Sequence, residues 1–214
     1  MLLFAICHHR VAVQDVQVIR PAVPSDASEA VPLILQAIGS IAFVLTGTNN
    51  REDADRILDG FFRRKDNRVS YQNTLVMEDV ENVVDRSREV VGVALIYDGS
   101  IARALDEPLE KAAIQRLGLS DYCIPTEAEP SEFYLDTISV DPKCQGRGFG
   151  RDLIEASCEQ ALRLERDRIG LLVDIENSGA KRLYERLEFR TQGRKQIAGY
   201  EYFHMVRDLA ASRL

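Results

Sequence analysis

The chain has 214 residues, of which 45% are hydrophobic and 29% are charged, a composition typical of a folded globular protein. A chain of this length can bury a core large enough to fold without disulfides or a structural metal. The net charge of −7 argues against a dedicated nucleic-acid-binding protein, because contacts with phosphates require a basic surface. We therefore expect no nucleic-acid partner.

The cysteines indicate a reducing compartment. They are Cys7, Cys123, Cys144 and Cys158, and no two of them form a Cys-x-x-Cys pair. Scattered cysteines of this kind are typical of reduced thiols, so we expect a cytoplasmic protein. The run Cys7-His8-His9 lacks a fourth ligand, and we expect no metal site.

The first half of the chain alternates between predicted strands and helices. Residues 1–15 are interpreted as an N-terminal tail, because their apolar stretch is short and has no basic start. The uncharged run Ala30–Gly47 contains Pro32 and is interpreted as a buried helix started by an Asp26/Glu29 capping box, so no membrane contact is expected. The other predicted elements are strands Val16–Val23, Thr74–Met77 and Val90–Tyr97, and an amphipathic helix Glu52–Lys65.

The second half continues the alternation. Helical periodicity over Ile101–Leu117 is interrupted by Pro108, and the Pro-containing stretch Glu127–Ser131 predicts a loop. Strands are predicted at Phe133–Val140, Ile169–Ile175 and Tyr200–Val206, with helices around Leu153–Leu162 and from Asn177 or Ser178 to Leu187. This interleaving predicts a single α/β domain over residues 16–214.

The segment with the clearest chemistry is Gln145–Gly150, which follows a predicted strand and opens a helix. The first N–H groups of a helix lack partners, and the helix dipole places partial positive charge there. Gly146, Gly148 and Gly150 carry no Cβ that would hold a phosphate away from the main chain. Lys143, Arg147 and Arg151 add positive charge. The segment predicts a pyrophosphate cradle, and a turn with purely structural glycines is the alternative.

Two other phosphate-binding loops fit less well. A P-loop ends in Gly-Lys-Ser/Thr, whereas Gly150 is followed by Arg151-Asp152. A dinucleotide fingerprint needs a small residue where Arg151 stands, and it normally lies in the first strand–helix unit. A nicotinamide dehydrogenase is therefore disfavoured.

The stretch Gln145–Gly150 resembles the Gln/Arg-x-x-Gly-x-Gly/Ala motif of the GCN5-related N-acetyltransferase (GNAT) superfamily. The preceding stretch Tyr134–Pro142 and the block Asn177–Phe189 also resemble that family. The block has Glu188 where the family usually has glycine. The resemblance is specific over residues 132–206 and extends earlier only in the order of elements.

The resemblance implies an α/β fold with a mixed, mostly antiparallel central sheet, helices on both faces, and a splayed parallel strand pair at the cofactor cleft. It implies acetyl-CoA as co-substrate, without a metal, and transfer of the acetyl group to a primary amine of a small molecule or a protein. It also implies an insertion at about 99–131, where relatives often have a tight hairpin. The implied cofactor-binding residues are Ile138, Ser139, Val140, Gln145, Gly146, Arg147, Gly148, Phe149, Gly150, Arg151 and Asn177. Asn177 has helix capping as its alternative role.

Direct attack of an amine on a thioester needs a base and a group that stabilises the departing thiolate. Tyr184 resembles the family tyrosine that protonates or hydrogen-bonds the sulfur, and a core tyrosine is its alternative role. Glu132 and Asp136 are equal candidates for the base, and water or a main-chain carbonyl is the alternative. A main-chain N–H near Val140 is expected to polarise the carbonyl. A nucleophilic Cys144 is disfavoured, because no histidine lies near it in sequence.

The acceptor is not specified by the sequence. Acids in the insertion, Asp121, Glu127 and Glu129, are candidates for attracting a cationic amine, and surface solvation is their alternative role. A catalytically weak CoA-binding sensor or interaction module remains the alternative function, and a homodimer is left open.

Overall fold

A computed structural model describes residues 17–79 and 88–210 of the chain. The described part contains seven strands and six α-helices. They are β1 Gln17–Pro21, α1 Ala27–Ile38, α2 Ile41–Thr46, α3 Arg51–Phe62, β2 Thr74–Asp79, β3 Glu89–Asp98, α4 Ala102–Leu117, β4 Phe133–Val140, α5 Phe149–Arg163, β5 Arg168–Asp174, α6 Ser178–Arg186, β6 Arg190–Ile197 and β7 Tyr200–Asp208.

The strands form one sheet in the order β1-β2-β3-β4-β5-β7-β6. Every neighbouring pair is antiparallel except β4 and β5, which are parallel. These two strands pair only through Phe133 with Ile169 and Tyr134 with Gly170. Beyond Tyr134 they diverge, and the edge of β4 that would face β5 is left open. The predicted fold class, including the splayed parallel pair, is confirmed.

Helices cover both faces of the sheet and make two apolar cores. On one face, α1, α3 and α4 pack on the sheet through side chains such as Ile34, Phe62 and Leu109. On the other face, α5 and α6 pack through side chains such as Leu153 and Tyr184. The apolar sequence of β5 follows from burial on both faces, because a strand covered by helices on each side loses the alternation of polar and apolar residues.

A β-bulge in β4 re-aims its side chains next to the splay. Leu95 of β3 pairs with Thr137, but the next residue, Ile96, pairs with Leu135, so Asp136 has no partner across the ladder. Leu135 before the bulge and Ile138 after it both pack in the α5 core. Strict period-two alternation would place these two side chains on opposite faces. Asp136 stays on the Tyr134 side, toward the face covered by α1 and α3, and the extra residue changes the faces that Thr137 and Ile138 occupy.

Two predictions for the N-terminal helix are wrong. The apolar run does not form one helix, because it is broken at Gly39, whose φ of 52° lies in the left-handed region. The Asp26/Glu29 capping box is absent: the Asp26 carboxylate accepts from the Val23 N–H at 2.8 Å, and Glu29 accepts from the Val90 N–H at 2.6 Å. The two acids tie the helix start to β1 and β3 instead of capping it.

Strand β6 was not predicted from the sequence. It is an edge strand that pairs along its length with β7. Most of its residues are exposed, so they carry no apolar alternation from which a strand could be predicted. The helical periodicity around Pro108 corresponds to a single helix, α4, that continues through the proline.

Some predictions lie outside what the structure tests. The N-terminal tail, including Cys7, His8 and His9, falls outside the described residues. The single-domain boundaries and the insertion at about 99–131 stay predictions. Across residues 17–79 and 88–210, none of the helices has the length and apolar character needed to span a bilayer.

Candidate active site

A cavity of about 970 Å³ opens where β4 and β5 diverge. Its wall contains most of the residues that the sequence predicted as functional. Those on the wall are Asp136, Ile138, Ser139, Val140, Gln145, Gly146, Gly148, Phe149, Gly150, Arg151, Asn177 and Tyr184. Glu132 and Arg147 are absent from the wall.

One part of the wall is made by the main chain. We call Gly146, Gly148 and Gly150 with the start of α5 the glycine cradle. Gly146 and Gly148 have φ of 79° and 93°, values that side-chain-bearing residues rarely adopt. A Cβ added at any of the three glycines would meet no described atom within 4 Å, so the main chain is open to a ligand.

The cradle presents N–H groups at a helix start. The first turn of α5 closes with the Asp152 N–H donating to the Gly148 carbonyl at 3.1 Å. The N–H groups of Phe149, Gly150 and Arg151 precede that bond and have no partner within the helix. Together with the helix dipole, they form a donor set suited to a diphosphate. The residues present therefore fit the coenzyme A diphosphate that the resemblance implies.

The open edge of β4 continues from the cradle. Two glutamines hold its last residues. Gln36 of α1 donates to the Ser139 hydroxyl at 3.0 Å and to the Val140 carbonyl at 3.3 Å, and Gln145 donates to that carbonyl at 3.2 Å. Gln36 was not predicted, because nothing in its local sequence relates α1 to a strand 100 residues later.

Arg147 makes different contacts from those expected of a phosphate ligand. Its Nη1 lies 2.6 Å from Asp79 Oδ2 of β2, and its guanidinium lies 4.6 Å from the centre of the Phe149 ring. These contacts hold the turn before α5 against the sheet. Its predicted role as a cofactor ligand stays a prediction.

Tyr184 reaches the cavity from α6. The side chain is buried and packs edge-on against Phe189 with ring centres 5.7 Å apart. Within the described part of the chain its hydroxyl has no hydrogen-bond partner. Burial raises the pKa of Tyr184 to about 12, so the phenol stays protonated at neutral pH.

Asn177 lies where α6 begins, and its side-chain oxygen accepts from the Ala180 N–H at 3.0 Å. The capping role that was its alternative is therefore present, and the residue also lines the cavity. At the other end of α6, Glu188 has a φ of 67°. The turn closes in the left-handed conformation although it lacks the glycine usual at this position.

A buried ionic cluster makes another part of the wall. We call Arg68, Asp106, Glu127 and Asp136 the Arg68 cluster. Arg68 exposes only 2% of its side chain, and its guanidinium contacts Asp106 at 3.3 Å, Glu127 at 3.1 Å and Asp136 through both Nε and Nη2. Three carboxylates thus surround one guanidinium out of water.

Two members of the Arg68 cluster hold their protons more tightly than usual. Burial raises the pKa of Asp106 to about 6, although Arg68 opposes the rise. Burial also raises the pKa of Glu127 above its ordinary value, again against the pull of Arg68. A single guanidinium does not offset the cost of burying three negative charges.

Glu132 lies away from the cavity. Its carboxylate is 2.9 Å from His204 Nε2 of β7 and 3.8 Å from Arg168 of β5. The carboxylate also lies directly against Gly170, where an added Cβ would collide with it. Asp136 follows Glu132 by four steps along the chain, roughly 13 Å in an extended strand. The structure therefore brings Asp136 into the cavity with Tyr184 but leaves Glu132 bridging three strands.

The thiol at the cavity wall is poorly suited to be a nucleophile. Burial raises the pKa of Cys144, which lowers the fraction of thiolate at neutral pH. Among residues 17–79 and 88–210, no group of three His, Cys, Asp or Glu side chains is arranged to hold a metal ion.

Arg68 and Tyr97 contribute to the site and were not predicted, whereas Glu127 was predicted only as an acid that could attract a cationic amine. The Tyr97 hydroxyl donates to Asp136 at 2.7 Å, and Tyr134 donates to Glu127 at 3.1 Å. The sequence gives only one local sign that Arg68 is buried in a site: this charged residue stands directly before the apolar Val69.

A sheet that splays ahead of a glycine-rich helix start is the arrangement that the resemblance to the GNAT superfamily implies. The family model "Acetyltransferase (GNAT) family" matches residues 56–189. A solved structure described as an acetyltransferase is 30% identical, with 90% of this chain and 99% of that chain covered and a TM-score of 0.70. The chain therefore belongs to the GNAT acetyltransferase family, and this membership supports acetyl transfer from acetyl-CoA.

More distant structures share the fold. An N-acetyltransferase from Staphylococcus aureus Mu50 is 22% identical, covering 88% of this chain and 99% of that chain with a TM-score of 0.68. A chain of the NatC complex bound to Gag peptide and CoA is 14% identical. The match covers 91% of this chain and 99% of that chain, with a TM-score of 0.55. A search of curated proteins found no match.

Proposed function

We propose that this protein is an N-acetyltransferase that moves an acetyl group from acetyl-CoA to a primary amine by direct attack. The observation that carries the proposal is the composition of one cavity wall. It combines the glycine cradle, a tyrosine hydroxyl without a partner in the described residues, and the buried carboxylates of the Arg68 cluster. These are the parts that binding a diphosphate, releasing a thiolate and receiving a cationic amine require.

Acetyl-CoA supplies the acetyl group as an activated thioester. The N–H groups at the start of α5 would bind its diphosphate, and the open edge of β4 over Ile138–Val140 would bind the pantetheine arm through the main chain. A main-chain N–H near Val140 would polarise the carbonyl. The NatC complex, which shares the fold, was solved with CoA, and this supports the cofactor assignment.

Tyr184 would act on the departing sulfur. Its pKa of about 12 lies above that of an ordinary thiol, so full proton transfer to a free thiolate would be unfavourable. The hydroxyl would instead donate a hydrogen bond that strengthens as charge develops on sulfur. A bond formed only late in the reaction lowers the barrier without tightening ground-state binding.

The acceptor is proposed to be a cationic amine of a small molecule or a protein, in a cytoplasmic setting. Carboxylates at the cavity wall attract an ammonium group, and the rest of the wall includes apolar and aromatic side chains such as Ile41, Leu45 and Tyr202. A homodimer stays a prediction.

The test is an amine panel with acetyl-CoA, read by thiol release and by mass. We expect at least one primary amine to gain an acetyl group with stoichiometric release of thiol. The product should resist hydroxylamine, as an amide does and an ester or thioester does not. Tight binding of acetyl-CoA without turnover on any amine would overturn the proposal in favour of a CoA-binding sensor.

A further inference from the structure

We propose that Glu127 is the base that takes a proton from the acceptor ammonium, with Arg68 and Tyr134 as positioning residues. The proposal rests on the proposed function and adds to it a catalytic residue from outside β4 and the glycine cradle. Glu127 lies in the connection between α4 and β4, lines the cavity, and has a side chain that is 11% exposed.

The loop that carries Glu127 is held firmly. Lys195 of β6 donates to the Glu127 carbonyl at 2.8 Å and forms an ion pair with Glu129 at 2.5 Å. Ile124 and Ala128 on either side are buried in the core under α1 and α3. The carboxylate is therefore positioned before any substrate arrives, as a catalytic group must be.

Glu127 and Asp136 differ in the number of hydrogen bonds that their carboxylates accept. Asp136 Oδ2 accepts from Arg68 through two nitrogens and from Tyr97, and Oδ1 accepts from Thr137 at 2.8 Å. Glu127 has two donors, one on each oxygen: Arg68 on Oε1 and Tyr134 on Oε2, both at 3.1 Å. A carboxylate offers about four lone-pair sites, so Glu127 keeps one on each oxygen for an ammonium, whereas on Asp136 only Oδ1 keeps one.

The surroundings of Glu127 also favour proton uptake. Burial raises its pKa toward the range in which a carboxylate is an effective base, and Arg68 limits that rise. The titratable and charged groups that face it from the packed elements are Arg68 after α3, Tyr97 of β3, Asp106 of α4, Tyr134 and Asp136 of β4, Lys195 of β6 and Tyr202 of β7.

The three protons of the acceptor ammonium go to three different atoms. The ammonium gives one of its three protons to a Glu127 oxygen, and the freed nitrogen lone pair forms the C–N bond. The C–S bond breaks and its electron pair stays on sulfur. A second proton remains on the amide nitrogen, and the third ends on the thiol. Glu127 then returns its proton to solvent.

The test uses two amines of the same shape. Phenethylamine is protonated at neutral pH, whereas O-benzylhydroxylamine has an oxygen in place of one methylene and is unprotonated. In Glu127→Gln we expect kcat/KM at pH 7 to fall at least about 100-fold for phenethylamine and to change less than about threefold for O-benzylhydroxylamine. If another panel amine is the better wild-type substrate, it and its aminooxy analogue replace this pair.

Glu107→Gln is the matched control. This carboxylate lies on α4, pairs with Lys111, is 50% exposed and does not line the cavity. Both probes should react as in the wild type. An equal loss for both probes in Glu127→Gln would overturn the assignment as base. A wild-type protein that acetylates no panel amine would instead overturn the proposed function, so the two failures are distinct.

A second variant covers the case in which Glu127→Gln does not fold. Tyr134→Phe removes one donor to the Glu127 carboxylate and keeps the ring against Tyr97. Losing a bond to the charged form raises the carboxyl pKa, so the acid limb of kcat/KM should move to higher pH by roughly 0.5–1 unit. A limb that does not move, measured with folded Tyr134→Phe, would overturn the proposal.

Discussion

The glycine cradle and the Arg68 cluster line the same cavity but are built in opposite ways. The cradle consists of main-chain groups within six consecutive residues, Gln145–Gly150, and its geometry follows from two positive φ values. The Arg68 cluster consists of side chains drawn from residues 68, 106, 127 and 136, and its geometry follows from packing. Under the proposed function, recognition of the carrier would thus depend on local conformation, and recognition of the amine would depend on the whole fold.

This difference predicts that substitutions in the two parts have different effects on carrier binding and on stability. A change in the cradle should weaken carrier binding and leave the fold intact, because the glycines contact little else. A change in the Arg68 cluster should weaken the fold first, because it leaves buried charges without partners.

The largest effect is expected from Arg68→Met. Removing the guanidinium leaves three buried carboxylates uncompensated, so the free energy of unfolding should fall by about 3–5 kcal/mol, measured by urea denaturation. Arg56→Met is the control, since its pair with Asp53 is exposed and should matter by less than about 0.5 kcal/mol. A loss in Arg68→Met no larger than in the control would contradict the view that the cluster supports the fold.

Tyr184→Phe tests the proposed role of the tyrosine hydroxyl at the departing sulfur, between the two parts of the cavity. We expect kcat to fall about 10- to 100-fold, while the Kd for acetyl-CoA changes less than about threefold, because the hydrogen bond forms only as sulfur departs. Steady-state kinetics and calorimetry separate the two. Tyr122→Phe, which removes a hydroxyl bonded to the Val44 carbonyl outside the cavity, should leave kcat unchanged. An unaltered kcat in Tyr184→Phe would remove this residue from the mechanism.

Gly148→Val tests the cradle alone. A β-branched residue is strained at a φ of 93°, and its side chain would occupy space open to the diphosphate. The Kd for acetyl-CoA should rise at least about tenfold, or 1.4 kcal/mol. Gly60→Ala, at an open position in α3, should leave the Kd unchanged and add about 0.5–1 kcal/mol of stability. Equal carrier binding by Gly148→Val and wild type would contradict the cradle.

The smallest effect is expected at the turn after α6, where the main-chain conformation of one residue affects the free energy of unfolding. Glu188→Gly removes the left-handed strain at a φ of 67° and should raise the free energy of unfolding by up to about 1 kcal/mol. Glu188→Ala removes the same charge without relieving the strain and should give no such gain. Thermal melting of both variants at one pH makes the comparison, and equal stabilities would show that the turn is not strained.

The parts of the structure that short sequence stretches determine were predicted well. The strand Phe133–Val140, the start of α5 and the helix carrying Tyr184 follow from alternation, helical stripes and glycines within windows of about ten residues. The resemblance to the family added their arrangement. Edge strand β6 was missed because an exposed strand has no apolar pattern to detect.

By itself, the sequence determined the glycine cradle of this protein, because main-chain donors at a helix start depend only on neighbouring residues. Only the tertiary structure decided the Arg68 cluster. Packing brought Arg68 between carboxylates from distant segments, and Glu132, an equal candidate by sequence, lies against His204 instead of in the cavity with Asp136. Side-chain clusters are assembled by long-range packing, and no local pattern specifies which charges will meet.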